Sequence, residues 1–104
     1  MGKKLKFSQK VFEIVAKIPK GKVSTYSQIA KLCGSPCAFR VVGNALRRNP
    51  TPIIVPCHRV VKNNGVIADY ILGQKKKREL LEGEKIEFTS KSKVNLKKHL
   101  WKVK

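Results

Sequence analysis

A cysteine and a histidine are adjacent in the segment Pro56-Cys57-His58, which follows an apolar run at residues 53–55. The nucleophilic form of cysteine is the thiolate, which nearby cationic or hydrogen-bonding groups favour over the thiol. Adjacent residues of an extended chain point to opposite sides, so contact between these two side chains requires a sharp turn or a bridging water. The segment therefore predicts a rigidly held thiol with a titratable neighbour, a pair suited to nucleophilic chemistry.

Three other interpretations of Cys57 are open at this point. The residue could be an inert buried cysteine, which is the commonest fate of a lone cysteine. It could bind zinc together with His58, Cys33 and Cys37, although adjacent Cys and His residues rarely ligate one ion. It could be the nucleophile of a Cys–His hydrolase, although no other feature indicates an acyl substrate. We predict a site without a metal ion and without a cofactor.

The composition indicates a basic protein with one domain. The 104 residues include 24 Lys or Arg and 6 Asp or Glu, which gives a formal net charge of +18. Such a charge favours a polyanionic partner, nucleic acid before membrane. No apolar run is long enough to span a membrane, and the amino terminus lacks a signal-peptide pattern. Three cysteines disfavour a secreted disulfide scaffold, so we expect a cytoplasmic monomer that associates with the nucleoid when bound to DNA.

Helical patterns fill the first half of the chain. Apolar residues at helical spacing predict a first helix over residues 7–18, which Pro19 ends. Thr25 and Gln28 fit a capping box at the start of a second helix, and Gly34 is its natural stop. These two helices are the elements that precede the Cys57 segment.

A third helix is predicted from Ser35 to about Arg48, with Ser35 as the N-cap and Pro36 in the first helical position. One face is apolar and carries Ala38, Val41, Val42 and Ala45. The opposite face is polar and carries Arg40, Asn44, Arg47 and Arg48. Two short helices joined by a glycine-containing turn, the second with a basic face, are typical of a helix-turn-helix that binds DNA.

The second half of the chain has shorter patterns. Residues 53–55 predict a buried strand, and the Asn64-Gly65 pair predicts a tight turn. Val66 and Ile67 are then expected as the second arm of a short hairpin. Residues 74–81 predict a basic helix, and residues 89–104 form a lysine-rich tail, which the sequence leaves open between an amphipathic helix and a loose basic arm.

Two segments carry a resemblance to a known family, and they read Arg40-Val41-Val42-Gly43-Asn44-Ala45-Leu46-Arg47-Arg48-Asn49-Pro50 and Val55-Pro56-Cys57-His58-Arg59-Val60-Val61. They resemble the O6-alkylguanine-DNA alkyltransferases, and the similarity runs from about residue 7 to about residue 85. The resemblance implies a mainly helical α/β fold, a winged-helix-like DNA-binding domain with a helix-turn-helix and a short hairpin. It implies this domain over residues 5–88 and a basic tail over residues 89–104, without the amino-terminal domain that many members carry.

The resemblance also implies an activity and its residues. The family transfers a methyl or larger alkyl group irreversibly from O6-alkylguanine in double-stranded DNA to its cysteine, so each molecule acts once. DNA is bound by the minor groove and the damaged guanine is flipped out of the stack. Catalytic roles fall on Cys57 as acceptor, His58 as proton relay through a water, Glu84 as the support of the histidine, Tyr70 as donor to N3 of guanine, and Asn49 as a brace of the cysteine loop.

The remaining matching positions concern DNA and the base pocket. Arg40 is expected to fill the space that the flipped base vacates, and Tyr26 to lie near the phosphate of that nucleotide. Other DNA contacts are expected from the basic face of the third helix, at Asn44, Arg47 and Arg48. The base pocket is expected to include Val60, Ile71 and Leu72.

Two departures from the family pattern bear on substrate choice. The family usually has small or polar residues after the tyrosine, whereas this chain has Ile71 and Leu72. We expect these side chains to narrow the pocket, so that methyl adducts react well and benzyl-sized adducts poorly. Asn44 stands where a second glycine is common, which predicts a slightly wider approach of the helix to DNA.

Two rival functions remain. Alkyltransferase-like proteins share the scaffold and bind lesions without transfer, but they replace the active cysteine, commonly with tryptophan. A plain helix-turn-helix regulator would bind DNA without chemistry and would have no use for the Pro56-Cys57-His58 loop or for Tyr70. We therefore favour the alkyltransferase.

Overall fold

The computed structural model describes residues 7–35, 37–48, 55–67, 70, 72–90 and 92–102. Within them the chain forms a mainly helical α/β fold, as predicted. Its elements are α1 (Phe7–Val15), β1 (Ser24–Thr25), α2 (Tyr26–Leu32), α3 (Phe39–Arg47), a 3₁₀ turn (Cys57–Arg59), β2 (Val60–Val61), α4 (Gln74–Gly83), β3 (Phe88–Ser90), β4 (Lys93–Val94) and α5 (Leu96–His99). Residues 53 and 54 of the predicted strand lie outside the described residues.

The first three helices pack against one another around an apolar core. Val11 and Val15 lie four residues apart on α1, so they share one face, and both are fully buried. The same core also receives residues from α2, α3, the 3₁₀ turn and β2, namely Ile29, Ala30, Val42, Ala45, Leu46, Cys57 and Val60. The Cys57 turn is therefore held against the packed helices.

The predicted start of α2 is correct, but only half of the capping box forms. The Gln28 backbone N–H donates to the Thr25 hydroxyl over 3.1 Å, as an N-cap requires. The Gln28 side chain does not return to Thr25. Its Nε2 donates to the carbonyl of Trp101 over 2.8 Å, and its Oε1 accepts from Ser24. This amide therefore ties α2 to the carboxyl-terminal segment.

The predicted start of α3 is wrong. The helix begins at Phe39 after Ala38 as N-cap, and no side chain caps it. Ser35 serves the end of α2 instead, because its N–H donates to the Ala30 carbonyl while Gly34 adopts a positive φ of 83°. One residue expected on the apolar face of this helix, Val41, is 49% exposed.

The Asn64-Gly65 pair makes a tight turn as predicted, but its expected hairpin partner differs. The Lys62 N–H donates to the Val66 carbonyl over 3.0 Å, while Val66 bridges to Lys93 of β4 rather than pairing with β2. Gly65 allows this, because a Cβ there would lie 2.7 Å from the Val94 carbonyl. β2 pairs in parallel with β1, and the hairpin of the described chain is β3–β4.

The carboxyl-terminal segment joins the fold over residues 92–102. The boundary predicted between residues 88 and 89 falls inside β3. The Val23 N–H donates to the His99 carbonyl over 2.9 Å, and the Trp101 N–H donates to the Val23 carbonyl over 2.7 Å. This segment thus contains β4 and the four-residue helix α5, rather than the amphipathic helix or loose arm considered above.

No helix in the described ranges has the length and apolar character needed to cross a membrane.

Candidate active site

Cys57 begins the 3₁₀ turn that connects the chain to β2. The Cys57 N–H donates to the Val55 carbonyl over 2.7 Å, and the Arg59 N–H donates to the Pro56 carbonyl over 2.9 Å. The turn continues into β2, which pairs with β1 at Ser24–Thr25. The chain therefore makes the sharp turn that was expected at Cys57 and His58. Hydrogen bonds hold its beginning, and the pairing of β2 with β1 holds its end.

Cys57 is buried, but it lines an open cavity of about 730 Å³. This volume lies in the usual range of small-molecule sites, about 300–1,000 Å³. The wall contains six of the residues predicted from the sequence, namely Tyr26, Arg40, Asn44, Arg47, Cys57 and Tyr70. The thiol is thus not sealed off, and the space beside it has the scale of a purine nucleotide.

His58 contacts the carboxylate of Glu84, which lies 26 residues further along the chain at the end of α4. His58 Nε2 and Glu84 Oε2 are 2.9 Å apart. The same carboxylate accepts two hydrogen bonds from Arg59, from Nε over 2.8 Å and from Nη2 over 2.7 Å. Arg59 also donates to the Ile18 carbonyl over 2.8 Å, so the guanidinium itself is fixed. The sequence motif contained Arg59, but its role in holding Glu84 was not foreseen.

The environment of Glu84 keeps its carboxylate ionised. Burial alone raises the pKa of such a group, but the hydrogen bonds from Arg59 and His58, together with their charges, outweigh it and lower the pKa of Glu84 below its ordinary value. The bidentate Arg59 geometry is the strong form of this interaction. An ionised carboxylate can only accept hydrogen bonds, so His58 Nε2 must carry the proton between them.

His58 itself is held neutral. It is 1% exposed, and burial lowers its pKa below the ordinary value; the positive charges of Arg59 and Lys77 act in the same direction, while Glu84 opposes them. A neutral imidazole that donates from Nε2 has its lone pair on Nδ1. That Nδ1 is buried and has no hydrogen-bond partner. His58 Nδ1 is therefore a proton acceptor on the residue that directly follows Cys57.

Tyr70 supplies a phenol to the same cavity. Its hydroxyl is buried and makes no hydrogen bond of ordinary geometry, and its ring packs edge-on to His58 with centroids 6.3 Å apart. Burial raises the pKa of Tyr70, and a negative charge on the neighbouring Cys57 raises it further. The phenol therefore remains protonated at neutral pH and can act as a hydrogen-bond donor.

Lys77 is a buried lysine next to this network, and it was not predicted as a site residue. The side chain is 1% exposed, and its Nζ donates to the Val60 carbonyl over 2.7 Å. Lys77 and the buried Leu81 are four residues apart on α4, so both lie on the inner face of that helix. The four-residue spacing from Leu81 was the sequence signal for burial of Lys77, although a lysine in a basic helix is normally expected to be exposed to solvent.

The predicted DNA-binding residues do not all lie together. Tyr26 lies against α3 at Gly43, where an added Cβ would come within 3.8 Å of its ring. Arg48 does not line the Cys57 cavity; it lines a separate groove of about 230 Å³ between α1 and α3. The cavity wall contains eight further residues that were not predicted as site residues, namely Phe39, Gly43, Leu46, Lys62, Asn63, Val66, Ile67 and Gln74. None of the described residues on that wall is acidic.

The expected base pocket needs correction. Val60 is fully buried and does not line the cavity, and Lys77 bonds to its carbonyl. Leu72 is 45% exposed and does not line the cavity either, so its side chain does not narrow it. The other two predicted positions, Ile71 and Asn49, lie outside the described residues.

The zinc alternative finds no support in the geometry. Within the described ranges, no three His, Cys, Asp or Glu side chains come close enough to hold a metal ion. Cys33 is buried, Cys37 is exposed, and neither forms a disulfide. Burial raises the pKa of Cys33, with Lys10 opposing the shift, which suits an unreactive core thiol.

Together these features define a small helical α/β protein that presents a cysteine, backed by a neutral histidine, to a cationic cavity. Over residues 6–86 the chain matches the family model described as "6-O-methylguanine DNA methyltransferase, DNA binding domain". This range is well over half of the chain, so the chain belongs to that family, as the resemblance indicated.

Individual relatives fall into two groups. The chain is 39% identical over 101 residues to the "DNA base-flipping protein" of Escherichia coli, which covers 97% of this chain and 78% of that relative. It is 51% identical over 81 residues to the "Methylated-DNA--protein-cysteine methyltransferase" of Saccharolobus islandicus, covering 78% of this chain and 52% of that relative, so it spans about half of that protein. Among solved structures, S. pombe Atl1 bound to damaged DNA containing O6-carboxymethylguanine has a TM-score of 0.82 and 38% identity, covering 93% of this chain and 95% of Atl1.

Proposed function

We propose that this chain transfers an alkyl group from O6-alkylguanine in double-stranded DNA to the sulfur of Cys57, once per molecule. The observation that carries the proposal is the position of Cys57: a thiol on the wall of a cavity of about 730 Å³, adjacent to a neutral histidine that Glu84 orients. The 51% identity to a methylated-DNA–protein-cysteine methyltransferase supports the same chemistry.

The transfer step follows from the protonation states of the site. The Cys57 thiol gives its proton to the lone pair on His58 Nδ1, through a water in the family's manner. The thiolate attacks the alkyl carbon, a C–S bond forms, and the bond between that carbon and O6 breaks. The bonding electrons remain on the guanine, where negative charge develops, and Tyr70 donates to N3 to stabilise it. The guanine anion takes up a proton at N1, which balances the proton that His58 received from Cys57 and then releases, so the products are an S-alkylcysteine and a restored guanine.

DNA binding in this proposal uses α2 and α3 as a helix-turn-helix. Arg40, Asn44 and Arg47 of α3 line the cavity and are exposed, and Tyr26 begins α2 on the same wall. Arg40 takes the space of the extruded base, and Tyr26 lies near the phosphate of that nucleotide. The solved relative in complex with O6-carboxymethylguanine DNA supports a damaged duplex as the ligand.

A second candidate is a lesion-binding protein without transfer. It is favoured by the relatives that cover almost the whole chain, the DNA base-flipping protein and Atl1. Against it stands Cys57 itself, because a binding protein has no need of a thiol beside an oriented histidine.

Mass spectrometry of the protein after incubation with a duplex containing O6-methylguanine separates the two candidates. We expect a gain of one methyl group on the peptide that contains Cys57 and an equal amount of restored guanine. Cys57→Ser should abolish the gain while binding the duplex almost as well, and Cys37→Ser is the matched control that should retain it. Binding of the lesion without any mass gain would establish the second candidate instead.

A further inference from the structure

The first residue of α3 is an exposed aromatic side chain on the rim of the Cys57 cavity. Phe39 is 43% exposed, and it lines that cavity together with its neighbour Arg40. A single exposed apolar side chain is ordinary on a protein surface. Phe39 differs because its ring borders the functional cavity and stands beside a cation, two features that indicate a ligand able to cover the ring.

The position of Phe39 along α3 places it at the outer end of the cavity. Phe39, Gly43 and Leu46 recur at spacings of four and three residues, so they form one stripe of the helix, and all three line the cavity. Leu46 packs in the core cluster that contains Cys57. Because an α-helix rises 1.5 Å per residue, the stripe extends about 10 Å from Leu46 out to Phe39.

The chemistry of the rim indicates what covers the ring. Arg40, Arg47 and Lys62 make the described wall cationic, and none of its described residues is acidic. Aromatic rings within a cationic groove are the pattern on which unpaired bases stack, because every base has a π-face and carries a phosphate beside it. An apolar peptide or an acyl chain would gain nothing from these cations at the rim. A nucleic-acid base is therefore the ligand that fits.

We propose that Phe39 is a second wedge residue, which packs its ring on the base face left exposed in the duplex when a nucleotide enters the cavity. Apolar side chains inserted at base steps stabilise unstacked DNA in other minor-groove proteins. Phe39 covers the exposed face while Arg40, one residue further along, occupies the vacated space. The proposal rests on the proposed function only in taking a duplex with an extruded nucleotide as the ligand, and it does not depend on alkyl transfer.

The test compares Phe39→Ala, Phe39→Trp and the matched control Val41→Ala, each in a Cys57→Ser background so that transfer does not disturb the equilibrium. Val41 lies on the same helix with 49% exposure and does not line this cavity. Dissociation constants are measured for a duplex with O6-methylguanine and for its undamaged counterpart. 2-Aminopurine next to the lesion reports stacking by its fluorescence.

We expect Phe39→Ala to weaken binding of the lesion duplex about 5- to 100-fold, as removal of a stacking ring does elsewhere, and to brighten the 2-aminopurine. Phe39→Trp should preserve both the affinity and the quenching, and Val41→Ala should stay within about twofold of the parent. Equal affinities for Phe39→Ala and Val41→Ala would overturn the proposal. Mass gain on Cys57 is scored separately in proteins that retain the thiol, so its absence overturns alkyl transfer alone.

Discussion

At the level of single residues, the site depends on two neighbouring groups that are both held in their deprotonated forms, one charged and one neutral. Glu84 is ionised because Arg59 and His58 donate to it, while His58 is neutral because it is buried next to two cations. Only one arrangement of protons satisfies both, with the histidine proton on Nε2 and the lone pair on Nδ1. A lysine in place of Arg59 could not supply two parallel hydrogen bonds, so the guanidinium is a specific requirement.

Glu84→Gln tests this arrangement, with Glu82→Gln as the control from the same end of α4. An amide in place of the carboxylate loses the ionic partner of Arg59 and no longer fixes one tautomer of His58. We expect the single-turnover rate of alkyl transfer to fall about 10²-fold or more, in the range of general-base contributions. Glu82, which is exposed and pairs only weakly with Arg78 at 3.5 Å, should leave the rate unchanged when replaced. Equal rates for the two variants would exclude a role of Glu84 in transfer.

The directions of the pKa shifts also predict the response to acid. The pKa of His58 lies below its ordinary 6.5, so as the pH falls below 6.5 the unfolded chain takes up a proton that the folded chain does not. The free energy of unfolding should therefore decrease below pH 6.5, and again below 4.5 as the unfolded form of Glu84 becomes protonated. Above pH 6.5 both contributions are complete.

Urea denaturation and single-turnover transfer, measured from pH 4 to pH 10, check this expectation together. The rate should be level at neutral pH and fall only below pH 6.5, where the lone pair on His58 Nδ1 is lost. Tyr70 should cause no loss of rate up to pH 10, because its pKa is raised above that ordinary value. An acid limb centred above pH 6.5 would contradict a buried, neutral histidine.

At the level of elements, α4 positions the Cys57–Arg59 turn from both ends of the helix. Glu84 follows the last turn of the helix and holds His58 and Arg59. Lys77, near the first turn, bonds to the Val60 carbonyl at the point where the 3₁₀ turn becomes β2. The turn at Cys57–Arg59 is thus bonded to one helix at His58 and Arg59, and again at Val60 just after its end, which restricts the freedom of the thiol.

Lys77→Ala should destabilise the protein by about 2–4 kcal/mol, because it removes a buried side chain and leaves the Val60 carbonyl without this donor. Lys76→Ala is the matched control, since Lys76 is exposed on the same helix and its replacement should change stability by less than about 0.5 kcal/mol. Urea denaturation at pH 8 measures both variants. A loss of less than about 1 kcal/mol for Lys77→Ala would show that the desolvation penalty of the buried ammonium offsets the stabilisation from its hydrogen bond.

Local rules predicted the elements where the local signal had no competitor. The apolar spacing of α1, the hydroxyl cap of α2 and the basic helix α4 follow from neighbours three or four residues apart. Ser35 was misassigned because two cap motifs overlap at residues 34–36, and the local sequence does not decide between the end of α2 and the start of the next helix. The partner of the Asn64-Gly65 turn was missed because β4 comes from a distant part of the chain, which no short-range pattern specifies.

At the level of the whole molecule, the cavity lies where α2, α3, the turn after β2 and the start of α4 meet. The resemblance named Cys57, His58, Tyr70 and Glu84, and the structure places these four close together, so their proximity was predictable. Residues that act through packing were not. Lys77 is of interest because it is buried, and Phe39 because it is exposed at the rim of the cavity. Burial and exposure depend on the assembled fold, which local sequence patterns do not specify.

The charge of the whole molecule predicts how DNA binding responds to salt. The formal charge of +18 is unevenly placed: the described wall of the cavity is cationic, whereas Glu84 and Glu87 are engaged in ion pairs within the protein. Each phosphate neutralised by the protein releases counterions, so the logarithm of the binding constant should fall linearly with the logarithm of the salt concentration, with a slope of about −0.9 per phosphate.

Arg47→Gln and Lys10→Gln distinguish a local interface from a general effect of net charge, because each removes one positive charge. Arg47 lines the cavity, whereas Lys10 lies on α1 near Cys33 and does not line it. Fluorescence anisotropy between 50 and 300 mM salt should give a slope reduced by about one unit for Arg47→Gln and unchanged for Lys10→Gln. Equal changes in the two variants would mean that the positive charge acts as a diffuse field, and the DNA interface would then have to be sought away from the Cys57 cavity.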